Sequence, residues 1–201
     1  MRKIGLFGGT FDPIHNGHIT LAECVLKEMA LDEIIFIPSG NPPHKSSKSV
    51  TDKIHRYNMV RLALSGKAFF SVSDYEINKE SPDYSYITIS HFKEKYPEDE
   101  IYFIVGGDSF RDFPEWKNFE TLISLCTFIV VPRPDTKPSE YFKKYDGLKR
   151  PEKTLFLENF SCDISSTDVR NRIKNNEDLE SKISEEVFEY IKTNNLYTQE
   201  P

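Results

Sequence analysis

The sequence is short of cysteine. It has three in 201 residues, Cys24, Cys126 and Cys162, widely spaced and without a CxxC pair. That argues against a disulfide framework and against a zinc site, and leaves buried free thiols as the expectation. Long apolar runs are also lacking. Met1-Arg2-Lys3 leads into Ile4-Gly5-Leu6-Phe7-Gly8-Gly9, a stretch too short and too interrupted by glycine for a signal peptide, and no membrane-length span follows it. A cytoplasmic protein with no membrane partner is expected. Positive charge is in deficit: 26 Lys and Arg against 32 Asp and Glu give a formal net charge of −6, which argues against a broad nucleic-acid surface. An anionic ligand would need local positive groups. Repeats and low-complexity tracts are absent, and a chain 38% hydrophobic and 29% charged is neither disordered nor fibrous. Its length fits one α/β domain, residues 1–201, with residues from about 160 onward forming a C-terminal helical part.

What is present alternates. Residues 2–7 read as a buried parallel strand running into Gly8-Gly9. From Gly17 the apolar positions Leu21, Ala22, Val25, Leu26 and Met29 take helical spacing, and residues 33–37 form the next strand. Ser39 to Ser49, with Pro42-Pro43, is an exposed loop. A helix restarts near Thr51 with Met59, Val60, Ala63 and Leu64 apolar, and strand three follows at residues 69–72. A helix over 84–96, a strand over 101–105, a loop-helix over 108–125 and strands at 128–131 and 155–157 continue the pattern. Ser165 and Ser184 read as N-caps of two closing helices that hold Val169 and Ile173, then Val187, Phe188 and Ile191. The pattern predicts a Rossmann-like, doubly wound parallel sheet with helices on both faces and a C-terminal helical segment. Its ligands belong at the carboxyl ends of the strands.

The first such end carries Gly8-Gly9-Thr10-Phe11-Asp12-Pro13-Ile14-His15-Asn16-Gly17-His18. There a phosphate meets free backbone N–H groups and the positive end of a helix, and the glycines let it come close. A plain Gly-Gly turn and two ordinary histidines would look the same piece by piece. Neither GxGxxG nor a P-loop is present. Near the other end, Ile164-Ser165-Ser166-Thr167-Asp168-Val169-Arg170 opens a helix where hydroxyls, amides and the Arg170 charge can hold phosphate oxygens; an N-cap followed by a surface arginine is the alternative.

Together these strings resemble the HxGH nucleotidyltransferases, with Thr-Phe-Asp-Pro leading to His15-Asn16-Gly17-His18 and Ser165-Ser166-Thr167-x-x-Arg170 as the second signature. The resemblance implies ATP held by Gly8, Gly9, Thr10, Phe11, His15, Gly17, His18, Arg133, Ile164, Ser165, Ser166, Thr167 and Arg170. The catalytic set would be His15, His18, Lys45 and Arg170, with no metal ligand in the protein.

Three middle segments bear on the acceptor. Lys45, in Pro42-Pro43-His44-Lys45, can reach a phosphate or be simply solvated. Asp108, after Gly106-Gly107, can accept from ribose hydroxyls or serve a turn. Trp116, the only tryptophan, can stack on a pyridine ring or belong to the core. With Arg133-Pro134 and the closing Asn195-Leu196-Tyr197, the whole resembles the nicotinate-nucleotide adenylyltransferases. That implies an acceptor site of Lys45, Tyr84, Ser85, Gly107, Asp108 and Trp116. The block Pro82-Asp83-Tyr84-Ser85-Tyr86-Ile87-Thr88 departs from that family's Pro-Ser-Tyr-Thr-x-Asp-Thr, since Ile87 replaces an acid. The implied partners are ATP, entering with Mg2+ on its phosphates, and nicotinate mononucleotide; nucleic acid is not expected, and a homo-oligomer is left open. Other readings are an HxGH enzyme acting on nicotinamide mononucleotide or pantetheine phosphate, and a nucleotide-binding regulator without turnover.

Overall fold

A computed structural model describes residues 1–42, 50–133, 136–158 and 160–198. Its elements run β1 (Lys3–Gly9), α1 (Asn16–Glu28), β2 (Glu33–Pro38), α2 (Lys53–Ala63), β3 (Phe70–Val72), α3 (Ser85–Lys95), β4 (Glu100–Gly106), α4 (Gly107–Arg111), α5 (Phe119–Leu125), β5 (Thr127–Val131), β6 (Thr154–Phe156), α6 (Ser166–Lys174) and α7 (Glu185–Thr193). The strands form one sheet in the order β3-β2-β1-β4-β5-β6. The direction of winding reverses between β1 and β4, the doubly wound arrangement the alternation predicts, and such a reversal point is where these sheets form a ligand crevice. β1 pairs parallel with β4, matching Leu6 to Phe103, and β4 pairs parallel with β5, matching Phe103 to Phe128. Ile4 and Leu6 are wholly buried. Their strand needs no polar face because parallel strands are covered on both sides.

The structure departs from the sequence pattern in two places, the first for a local reason. The stretch read as one loop-helix is broken into α4, a 3-10 turn over Phe113–Glu115 and α5. Pro114 cannot donate a backbone hydrogen bond, and Asn118 takes a left-handed conformation at φ 54°, so the helix must restart. A 3-10 helix over Pro138–Tyr145 has no counterpart in the sequence reading.

The chain divides into two compact units. The first comprises Met1–Gly8, Cys24–Ile35 and Tyr84–Ser161. Its core is aromatic: Phe110 lies 5.2 Å from Phe113, 5.4 Å from Phe142 and 5.6 Å from Tyr145, centroid to centroid. Tyr145 buries its hydroxyl there without loss by donating to the Phe110 carbonyl at 2.6 Å.

The second unit comprises Gly9–Glu23, Phe36–Asp83 and Cys162–Pro201. Its α2 begins at an Asp52 cap, whose carboxylate accepts from the Ile54 amide. Met59 and Val60 are fully buried, and so is Arg56 on the same face of the helix, at 1% exposure. The Arg56 guanidinium is kept there by three carbonyls, those of Ser39 at 2.6 Å, Thr10 at 2.7 Å and Thr51 at 2.8 Å. Among the described residues, no helix is long and apolar enough to cross a membrane.

The fork of Arg56 spans carbonyls that no shorter or apolar side chain can satisfy together. Arg56→Met is therefore expected to cost about 3 kcal/mol, read as a fall in the urea midpoint, because buried acceptors lose their donor. A midpoint unchanged within error would show that these carbonyls find other partners.

Candidate active site

The turn after β1 is built within the second unit. A Cβ on Gly9 would lie 2.9 Å from the Phe11 ring, so the glycine makes room for that ring to fold back. Phe11 then meets His18 edge-on, with centroids 5.0 Å apart. The chain enters α1 at Asn16, anchored by its backbone amide to the Lys182 carbonyl at 2.7 Å and by its side chain to the Ser181 carbonyl at 2.8 Å. His15 and His18 face each other across this helix start and stack with centroids 3.7 Å apart. The His15 amide donates to Nδ1 of His18 at 3.2 Å. That bond makes Nδ1 the acceptor, so the neutral His18 ring carries its proton on Nε2.

Both rings resist protonation. His15 is held down to about pKa 4, first by burial and then by the positive charge of Lys182. His18 is lowered well below its ordinary value by burial, with His15 as a lesser cause. Near neutral pH the turn thus offers two uncharged imidazoles, and His15 leaves its buried Nδ1 without a hydrogen-bond partner. Such an atom is satisfied when a ligand brings it a hydrogen-bond partner.

The second signature meets the first directly. Ser165 caps α6 by accepting from the Asp168 amide at 3.1 Å, the N-cap role open to it from sequence. Ser166 donates to the Pro13 carbonyl at 2.9 Å, and Arg170 donates to the Asp12 carbonyl at 2.6 Å and to the Thr167 hydroxyl at 3.3 Å. Ile164 is half-buried just before the cap. Thr10, Phe11, His15, Gly17, His18, Ser165, Ser166, Thr167 and Arg170 therefore belong to one assembly. Three of its members escape the sequence reading. Asp12 lies inside the quoted string, but its carboxylate proves to be an anchor, accepting from the Tyr197 hydroxyl at 2.6 Å and the Thr51 amide at 3.3 Å. Arg56 could have been found as a charge at helical spacing from Met59 and Val60. Lys182 carries no signal in sequence.

The other candidates lie in the first unit. Asp108 stands in the first turn of α4, ion-paired with Arg133 and, at 3.5 Å, with Arg111. Gly107 is buried, and a Cβ there would lie 2.4 Å from the Tyr141 ring, so its smallness serves internal packing. Gly8 has room for ordinary contact with Phe103 at 3.7 Å. Trp116 is half-buried and packs on Phe113 at 4.6 Å. Tyr84 precedes α3, which opens at Ser85, and the Lys117 ammonium lies 4.8 Å from the Tyr84 ring centroid. Lys45 and Pro134 fall outside the described residues. All three cysteines are free, but the expectation of buried thiols is corrected: Cys24 and Cys126 are half-buried and Cys162 is exposed, since its segment precedes α6 at the surface.

A doubly wound sheet with paired imidazoles after its first strand and an arginine-bearing helix start against them defines a nucleotide-handling fold. A family model described as cytidylyltransferase-like matches residues 6–172. A probable nicotinate-nucleotide adenylyltransferase of Clostridium tetani is 42% identical over 199 residues, covering 98% of this chain and all of its own. One so named from Clostridium botulinum is 43% identical over 195 residues, covering 96% and 97%. A Plasmodium falciparum nicotinic acid mononucleotide adenylyltransferase, solved with nicotinate adenine dinucleotide (NaAD), shares the fold at TM-score 0.78 with 23% identity and 98% coverage of both chains. The chain belongs to the cytidylyltransferase-like family, among its nicotinate-nucleotide adenylyltransferases.

Since the unfolded chain takes up a proton at His15 near pH 6.5 and the folded chain only near pH 4, this residue's contribution to stability falls as pH drops through that window. In an NMR titration of the free protein, His15 is expected to stay neutral at pH 5.5. A midpoint near 6.5 would contradict the buried, cation-facing environment.

Proposed function

We propose that this chain transfers the adenylyl group of ATP to nicotinate mononucleotide, giving nicotinate adenine dinucleotide and pyrophosphate, a step in NAD synthesis. The observation that carries the reading is the hydrogen bonding of Ser166 and Arg170 to the turn that bears His15 and His18. It gathers a guanidinium, a helix start and two neutral imidazoles into one anion-directed cradle. Full-length relatives at 42% identity bear the name of this activity.

In the reaction a phosphate oxygen of the acceptor bonds to the α-phosphorus of ATP while the bond to the bridging oxygen of pyrophosphate breaks. No protein nucleophile is needed, so catalysis rests on positioning and on charge stabilisation. His18, protonated on Nε2, can donate to a phosphoryl oxygen without first gaining a second proton. His15 is assigned to the same phosphates by resemblance. Arg170 supplies positive charge at a place fixed by the Asp12 carbonyl. The resemblance assigns Gly8, Gly9, Thr10, Phe11, Gly17, Arg133, Ile164, Ser165 and Thr167 to ATP. Lys45 is assigned to the phosphates by resemblance. Trp116 takes the pyridine ring, Asp108 the acceptor ribose, and Tyr84, Ser85 and Gly107 the remaining acceptor contacts.

Mg2+, if carried on the ATP phosphates, would supply charge neutralisation for the pyrophosphate. The cradle's donors, imidazole, guanidinium, hydroxyl and amide groups, suit phosphate oxygens. Among the described residues no group of three or more His, Cys, Asp or Glu gathers that could hold a metal ion.

The half-buried Ile87, in place of an acid in α3, makes acceptor choice the point to test. Pyrophosphate release from ATP and Mg2+ is expected to be at least about tenfold faster, as kcat/KM, with nicotinate than with nicotinamide mononucleotide, the size of one differential polar contact. Equal or reversed preference would keep the chemistry and change the acceptor. Release with neither would favour a binding protein without turnover.

A further inference from the structure

Of the three cysteines, only Cys162 is exposed. The Cys24 thiol is pushed up in pKa by burial and by its contact with Glu28, and burial pushes the Cys126 thiol up to about 12. Both therefore hold little reactive thiolate. Cys162 differs in place as well as in access. A Cβ built on Gly17 would lie 2.6 Å from its sulfur and 3.0 Å from Nδ1 of His15. The sulfur and the imidazole nitrogen thus border the same small space inside the His-x-Gly-His turn, kept open because residue 17 has no side chain. His15 is only 7% exposed, and that buried nitrogen has no hydrogen-bond partner. An exposed cysteine and an unsatisfied, buried imidazole atom border one point of the His-x-Gly-His turn.

We infer that Cys162 is a modification site at which a low-molecular-weight disulfide attaches and thereby stops adenylyl transfer. The Cys162 thiolate attacks one sulfur of the disulfide. A new S–S bond forms to that half, the original S–S bond breaks, and the other half leaves as a thiolate that takes up the proton Cys162 gave up. A group bonded to this sulfur is held beside the Gly17 turn and the His15 ring. If it shifts either, misplacement of about 1 Å in a catalytic group is enough to cost 100-fold.

The inference rests on the adenylyltransferase reading, and the test separates the two. The full chain is incubated with oxidised glutathione, the adduct is located by peptide mass spectrometry, and transfer to nicotinate mononucleotide is followed alongside an untreated sample. The expected result is one adduct, at Cys162, with kcat lowered at least tenfold. Dithiothreitol restores activity, and saturating ATP slows modification. Cys162→Ser keeps basal activity and resists the treatment. A complete adduct at Cys162 with unchanged kcat, equal inhibition of Cys162→Ser, or no adduct at Cys162 would each overturn the inference. No turnover in the untreated sample would instead count against the activity, while the site of modification and its protection by ATP would still be read.

Discussion

Three backbone carbonyls in one turn, those of Thr10, Asp12 and Pro13, carry the second unit's organisation. Each would be costly to bury unpaired, and each is claimed by a different side chain: Arg56 from α2, Arg170 from α6 and Ser166 from the start of α6. The Asp12 carboxylate adds Tyr197 near the chain's end and Thr51 before α2. Segments from the beginning, middle and end of the sequence are thereby tied to one short stretch. What that stretch presents is His15 and His18.

Burial gives this turn its chemistry. Desolvation keeps both imidazoles neutral, and their stacking leaves no room for two positive charges. A neutral ring can still donate through one nitrogen, which suits a phosphate whose negative charge grows in the transition state. The fixed positive charge comes from Arg170, held where its guanidinium already has protein acceptors. In the first unit the acceptor-side candidates are differently balanced. Asp108 and Arg133 neutralise each other while 38% and 72% exposed, so their pairing is weak and readily exchanged for a ligand.

Much of this was legible in the sequence where one physical cause dominates. Buried parallel strands show as apolar runs, the helices as three-and-four spacing, and the caps of α6 and α7 as serines whose side chains do accept the expected amides. The two signatures were visible as strings, and the sheet order explains why the loop after β1 matters. Less legible was anything decided by a distant partner. Arg56 reads as a surface charge until three carbonyls surround it. The packing of Gly107 against the Tyr141 ring is likewise set by a residue far along the chain. Cys162 reads as a buried thiol until α6 is seen to start just beyond it, and the 3-10 helix over Pro138–Tyr145 depends on Tyr141 and Tyr145 finding a core that no local pattern announces.

The central claim is that the second signature acts by holding the first, and a double-mutant cycle on kcat measures that dependence. His18→Ala alone is expected to lower kcat by about 100-fold, as loss of one oxyanion donor does. If Arg170, besides supplying charge, works through the turn that positions His18, the Arg170→Ala, His18→Ala double variant will lose clearly less than the product of the two single losses. A double variant whose loss equals the product of the two separate losses would mean that the two residues act independently, and would contradict the account.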